Sequence, residues 1–317
     1  MKNIWKDGIM GIVIGDALGT PVQFLDRDEI KKAPVEGMEG YGTFNMPPGT
    51  WSDDSSMSLA TLDSIREKKC IDYDDIMMRF IGWTSRGEYT PAGKAFDQGC
   101  TCMEAISNYA KKHDYKTCGK TGERANGNGA LMRIMPVCLY AYVEYKDKKI
   151  SLQKAVEYVH QVSALTHNHL RSKMACGIYF FMAMAILDEK GSLKEKLQIG
   201  INNAKKYYET DLENMVEWVR FGRMVDMEEF ANVPEDEIES SGYVLDSIEA
   251  AIWSLITTET FKEGLLKAVN LGKDTDTVAA IAGGLAGLHY GYDNIPMEWR
   301  KVIIKGEEII ALCELMC

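Results

Sequence analysis

The sequence is poor in several features that would mark common classes of protein. Its eight cysteines show no CxxC spacing of the zinc or thioredoxin type, and the nearest pair is Cys100-Thr101-Cys102. Free thiols in a reducing cytosol are therefore expected, and with them a cytoplasmic location. There is no surplus of positive charge: 36 basic residues stand against 47 acidic ones, for a net charge of −11. That balance argues against a nucleic-acid groove or an anionic membrane surface as the main partner, though not against a local basic pocket. No long apolar run is present either. The N-terminal run is interrupted by Asp16 with no secretory cleavage pattern after it, and the run from Met174 to Leu187 reads as a core helix, too short and interrupted to cross a bilayer. Alternating strand-like runs are scarce, and no repeat, low-complexity tract or Pro/Gly/Ser-rich linker divides the chain.

What the sequence does contain is helical spacing. Apolar residues make up 46% of the chain and recur mostly at helical intervals, which predicts one all-α domain over residues 1–317. Helices are expected from Met57 to about Lys68, from Tyr73 to about Trp83, from Ser151 to Val162 and from Asp246 to Leu255. Gly11, Gly15 and Gly19 recur every four residues and form one small face where another helix can come close.

Two polar steps stand out against this background. Gly272-Lys273-Asp274-Thr275-Asp276-Thr277 precedes a run of small apolar residues from Val278 to Leu288, so it opens a helix expected to be central. Thr50-Trp51-Ser52-Asp53-Asp54-Ser55-Ser56 likewise opens a helix. Each fits an N-cap, because Asp, Ser and Thr accept from free N–H groups and complement the helix dipole. Each also fits a hard-cation site, because clustered carboxylates repel one another unless a cation lies between them. Were the two steps to face each other in the fold, they would form a two-metal site. A third cluster, Asn126-Gly127-Asn128-Gly129 with Arg133 beyond it, can cradle phosphate on its backbone N–H groups or be a flexible turn. Arg133 itself could serve as a structural ion-pair partner. His167 and His169 are two residues apart, do not share a helical face, and make no zinc clamp.

Taken in order, Gly15-Asp16-Ala17-Leu18-Gly19, Ser52-Asp53-Asp54, Leu165-Thr166-His167 and Asp274-Thr275-Asp276-Thr277 resemble the motifs of the ADP-ribosylglycohydrolase family, over roughly residues 5 to 292. The resemblance implies a single-domain orthogonal helical bundle with a central binuclear metal site. Two Mg²⁺ (or Mn²⁺) ions would be held by Ser52, Asp53, Asp54, Asp274, Asp276 and Thr277, with Asp16 supporting them from behind. The ions would bind ribose hydroxyls and orient a water, and the glycosidic bond would break through an oxocarbenium-like state. Asp97, Asp53 and Asp276 are the catalytic candidates the resemblance implies, with Asp97 for proton transfer or ring-opening assistance. Gln23, Asn126, Gly127, Gly129, His167, Gly242 and Tyr243 are the substrate candidates. The partner would be ADP-ribose, or a protein or small molecule carrying it. Two positions depart from the pattern: Gln23 stands where the family commonly has Glu, and Lys273 where it often has Gly. They motivate the alternative of a non-catalytic ADP-ribose-binding or structural relative, and a third reading, a two-metal phosphoester hydrolase, would use the same aspartates.

Overall fold

The computed structural model describes residues 3–316, so residues 1, 2 and 317 of the expected domain lie outside the described part. Every regular element in it is helical; among the described residues the only β-pairing is two isolated bridges, Lys120 with His167 and Gly127 with Tyr243. The fold is the expected all-α single domain.

Its axis is a pair of helices, Ile4–Gly19 and Thr275–Tyr290. The four-residue glycine spacing explains why they pair. A Cβ added to Gly11 would overlap the carbonyl of Gly283, and one added to Gly15 would overlap the carbonyl of Ala279. Gly283 returns the contact toward the carbonyl of Gly11. With no side chains between them, the two backbones touch, and residues 275–288 are buried throughout.

Around the pair pack Asp53–Lys68, Met135–Lys146, Leu170–Asp188, Val244–Ile256 and Phe261–Val269, with Tyr73–Arg86, Leu152–Ala164 and Leu193–Tyr208 outside them. Local chemistry sets several starts. The Asp72 side chain accepts from Asp75 N at 3.0 Å, and Ser151 from Lys154 N at 3.1 Å. The helix expected from Met57 begins earlier, at Asp53, so Asp53 and Asp54 fall in its first turn. The apolar segment expected at Met174–Leu187 is also longer than its sequence suggested. As Leu170–Asp188 it has 19 residues and by length and composition could span a membrane. Its apolar window is 78% buried within the bundle, which makes it a core helix.

Candidate active site

The pairing of the two axial helices decides where the site forms. It presses the end of the first helix against the beginning of the last, and Thr275 Oγ1 donates to the Gly19 carbonyl at 2.8 Å. Asp16, one turn before that end, is fully buried. Its carboxylate accepts from Ser52 N at 2.8 Å, from Ser55 N at 3.0 Å and from Ser55 Oγ at 2.5 Å. The Asp53–Lys68 helix is thus capped by a residue of another helix. Ser52 and Asp274, at the N-cap positions of the two motif helices, make no capping hydrogen bond with their own side chains. Capping by these two side chains therefore does not account for the polar steps.

The oxygens of the two steps converge. One carboxylate oxygen from each of Asp16, Asp54 and Asp276 lies within 4.8 Å of the others, all three residues being buried. Asp54 Oδ2 accepts from Ser52 Oγ at 3.1 Å and from Thr277 Oγ1 at 3.5 Å, the latter across 223 residues of chain. Asp54 Oδ1 and Asp276 Oδ2 are buried with no hydrogen-bond partner among the described residues. Burial and then mutual repulsion push the carboxyls of Asp53, Asp54 and Asp276 well above their ordinary range. Burial also raises Asp16, against the pull of its hydrogen bonds to Ser55 and Ser52. Unpaired buried carboxylates are costly, and a cation removes the cost by neutralising several at once. The donor set is all oxygen, anionic and hydroxylic, and it fits a hard divalent ion.

Above this cluster opens a cleft of about 370 Å³, whose walls include Gln23, Asp53, Asp97, Gly127, Gly129, His167, Gly242, Asp274 and Thr277. Asp97 is held at a φ of 51°, and its carboxyl is raised by burial and by the charge of Asp274, with Gln23 and Asp276 opposing through hydrogen bonds. The Gln23 amide nitrogen donates to Asp274 Oδ1 at 3.3 Å. A larger surface hollow of about 850 Å³ lies elsewhere, between Tyr145 and Asn214, and carries none of the motif residues.

Not every expected residue reaches the cleft. Asn126 is buried behind it, accepting from Ser172 Oγ at 2.9 Å and donating to the Glu123 carbonyl at 2.9 Å. Asn128 occupies the wall instead and donates to Asp274 Oδ2 at 2.6 Å and Ser247 Oγ at 2.8 Å. The Gly–Asn alternation contained both asparagines, and only the turn of the chain separates their roles. Tyr243 braces the loop from outside: its hydroxyl accepts from Arg171 at 3.0 Å and its backbone bridges Gly127.

Among the described residues Arg133 pairs with no carboxylate. Its guanidinium lies 4.9 Å over the Phe80 ring and donates to the carbonyls of Gly129 and Val162 and to Thr166 Oγ1. Thr166 Oγ1 in turn lies 2.8 Å from His167 Nδ1. Burial, aided by the Arg133 charge, pulls the His167 pKa down to about 3, so the imidazole facing the cleft is neutral. His169 is a helix cap, accepting from Arg171 N at 3.2 Å. Phe24, Cys102 and Met132 also line the cleft, and no motif in the sequence pointed to them.

Comparison with known proteins agrees with this geometry. The family profile described as ADP-ribosylglycohydrolase matches residues 5–316. The ADP-ribosylarginine hydrolase Tri1 of Serratia proteamaculans is 33% identical over 98% of this chain and 77% of its own length. The ADP-ribosyl-[dinitrogen reductase] glycohydrolase of Rhodospirillum rubrum is 29% identical over 92% of this chain and 86% of its own. A solved structure titled as an ADP-ribosylglycohydrolase-related protein complex superposes with a TM-score of 0.78 at 29% identity, covering 99% of this chain and 97% of the other. With the motifs in order, the fold matched end to end and the acidic cluster beneath a cleft, the chain belongs to the ADP-ribosylglycohydrolase family and is a hydrolase of ADP-ribosyl glycosidic bonds.

Proposed function

We propose that the protein hydrolyses the bond between ADP-ribose and an arginine side chain of a modified protein, with two Mg²⁺ or Mn²⁺ ions seated between the Ser52–Asp54 and Asp274–Thr277 steps. The observation that carries this reading is the pair of buried oxygens without partners, Asp54 Oδ1 and Asp276 Oδ2, one from each step, beneath the cleft. Ser52, Asp53, Asp54, Asp274, Asp276 and Thr277 would hold the ions. Asp16, hydrogen-bonded through both its oxygens, would fix the first step in place. Bound divalent ions supply positive charge that orders ribose hydroxyls and stabilises charge developing at the reacting centre.

The remaining work falls to the chain's own groups. Asp97, in the cleft wall with a carboxyl raised by burial, is the group placed to pass a proton to the departing nitrogen and to accept one from the attacking water. Gln23 has no proton to exchange and holds Asp274 in orientation. Gly127, Gly129 and Gly242 have no side chain to keep a diphosphate off the backbone, and the neutral His167 beside them offers a ring nitrogen without adding charge. The likeness to the Serratia enzyme supports arginine as the acceptor. A cytosolic location belongs to the same proposal and is supported by the seven free thiols among the described residues.

The test is incubation with ADP-ribosyl-arginine and ADP-ribosyl-serine peptides plus Mg²⁺, separating the products by chromatography. Free ADP-ribose is expected from the arginine peptide, and Asp276→Asn should abolish its release. Phosphate release with the glycosidic bond intact would turn the reading to a phosphoester hydrolase. Full activity in excess chelator would remove the ions from it.

A further inference from the structure

Phe24 is conspicuous among the residues of the cleft because its side chain is spent on neither the core nor a contact that needs it. It is 64% exposed, whereas the adjacent Gln23 is buried. Its backbone sits at a φ of 69°, the left-handed region, held there as its N–H donates to the Lys273 carbonyl at 2.7 Å. That conformation is unfavourable for a bulky residue, and so little ring burial does not offset it. The ring meets Phe44 edge-on, centroids 6.1 Å apart at 62°, and Phe44 meets Phe96 at 5.1 Å. Phe96 immediately precedes Asp97, whose backbone is also left-handed. A row of three rings thus runs from the mouth of the cleft to the wall that carries Asp97.

A second, independent feature lies at the same end. Gln23 Oε1 is buried and has no hydrogen-bond donor among the described residues, although the amide nitrogen of the same side chain is engaged by Asp274. The cleft wall therefore carries an uncovered aromatic ring, a glutamine whose side-chain oxygen lacks a donor, and Asp97.

We propose that Phe24 determines acceptor specificity: its ring stacks on the planar guanidinium of the modified arginine, whose N–H groups reach Gln23 Oε1 and Asp97. This rests on the reaction proposed above, which puts the bond to be broken at the carboxylate end of the cleft. The acceptor then leaves past Phe24, while the ADP portion extends toward Gly129 and His167. A guanidinium is flat, weakly hydrated and rich in donors, so it gains from an aromatic face and from edge acceptors together. A serine acceptor has neither a flat face nor a fork of donors to use them.

The experiment compares wild type, Phe24→Leu and Phe24→Tyr. Two constants are measured for each: KM for ADP-ribosyl-arginine, and inhibition by free ADP-ribose, which has no acceptor. Because the ring is exposed, both variants should fold. Loss of a cation–π contact predicts a KM about tenfold higher in Phe24→Leu, near-normal in Phe24→Tyr, and inhibition by ADP-ribose unchanged in both. Equal weakening of ADP-ribose would mean that the ring stacks on the nucleotide, and no change in either constant would mean that it stacks on nothing. Both results overturn the proposal. Failure of the reaction assignment would look different, because wild type itself would then release no ADP-ribose from the arginine substrate. In that case binding of methylguanidinium in the presence of ADP-ribose decides the role of Phe24. Weaker binding in Phe24→Leu than in wild type upholds it, and equal binding refutes it.

Discussion

The Asp16 carboxylate accepts the backbone N–H of Ser52 at 2.8 Å, which ties the end of the N-terminal helix to the first turn of the helix that carries Asp53 and Asp54. One buried side chain thereby caps a helix in place of that helix's own residues. Asp16→Ala leaves the buried N–H groups of Ser52 and Ser55 unanswered, at a cost of about 1–3 kcal/mol each. The expected loss is roughly 2–4 kcal/mol by urea unfolding, reduced from the full sum because a buried carboxyl is removed as well. Divalent-ion affinity should fall too, since the Ser52–Asp54 step loses its anchor. Unchanged stability and unchanged affinity would show that Asp16 is not that anchor.

The raised carboxyls make metal-free and metal-loaded protein respond oppositely to one substitution. Asp53, Asp54 and Asp276 have folded-state pKa values above their unfolded ones. Their contribution to the stability of the metal-free protein is therefore fully present below the unfolded carboxyl pKa and is lost as pH rises through the folded value. Asp54→Asn should melt at the wild-type temperature or higher in chelator at pH 8, and lower than wild type in Mg²⁺. The Mg²⁺-induced rise in the wild-type Tm should grow between pH 5 and pH 8, because binding requires the carboxylates deprotonated. Melting curves at the two pH values, with Mg²⁺ and with chelator, check both signs. Equal Mg²⁺ shifts in wild type and Asp54→Asn would contradict them.

Gln23→Glu restores the carboxylate common in the family but removes the donor that Asp274 Oδ1 now uses. The new charge would face Asp53 and Asp97 and raise their carboxyls further. Turnover should stay level or fall, and the metal-free protein should lose stability. Asp97→Asn should lower turnover by on the order of a hundredfold or more, the usual scale for losing a proton-transfer group. Turnover against pH for the three proteins is the measurement. A large gain in Gln23→Glu beside an unaffected Asp97→Asn would move the proton-transfer role from Asp97 to position 23.

Gly15→Ala drives a methyl group into the Ala279 carbonyl and so pushes the axial helices apart. Overpacking of this kind costs roughly 1–3 kcal/mol or more, and here it also displaces Asp276 from Asp54. Gly222→Ala meets nothing within 4 Å and serves as the control. Both variants can be compared by thermal melting and by Mg²⁺ titration, with the loss expected only in the first.

Much of this protein is settled by sequence alone. The apolar periodicity determines an all-helical chain, and the glycines at 11, 15 and 19 determine that something must lie against that face. The carboxylate steps at 52–54 and 274–277 mark the acidic chemistry, because such clusters are conspicuous wherever they sit in a chain. Tertiary structure decided which of these parts meet. The partner of the glycine face is the helix opened by Asp274, and that close approach sets Asp16, Asp54 and Asp276 within reach of one another. It also decided that Asn128 and not Asn126 lines the cleft, that Arg133 lies over Phe80 instead of beside a carboxylate, and that Phe24 stands at the mouth. A linear pattern reports periodicity and composition, which are local. The direction of one side chain in a loop, and the pairing of residues more than two hundred positions apart, depend on how complete helices pack.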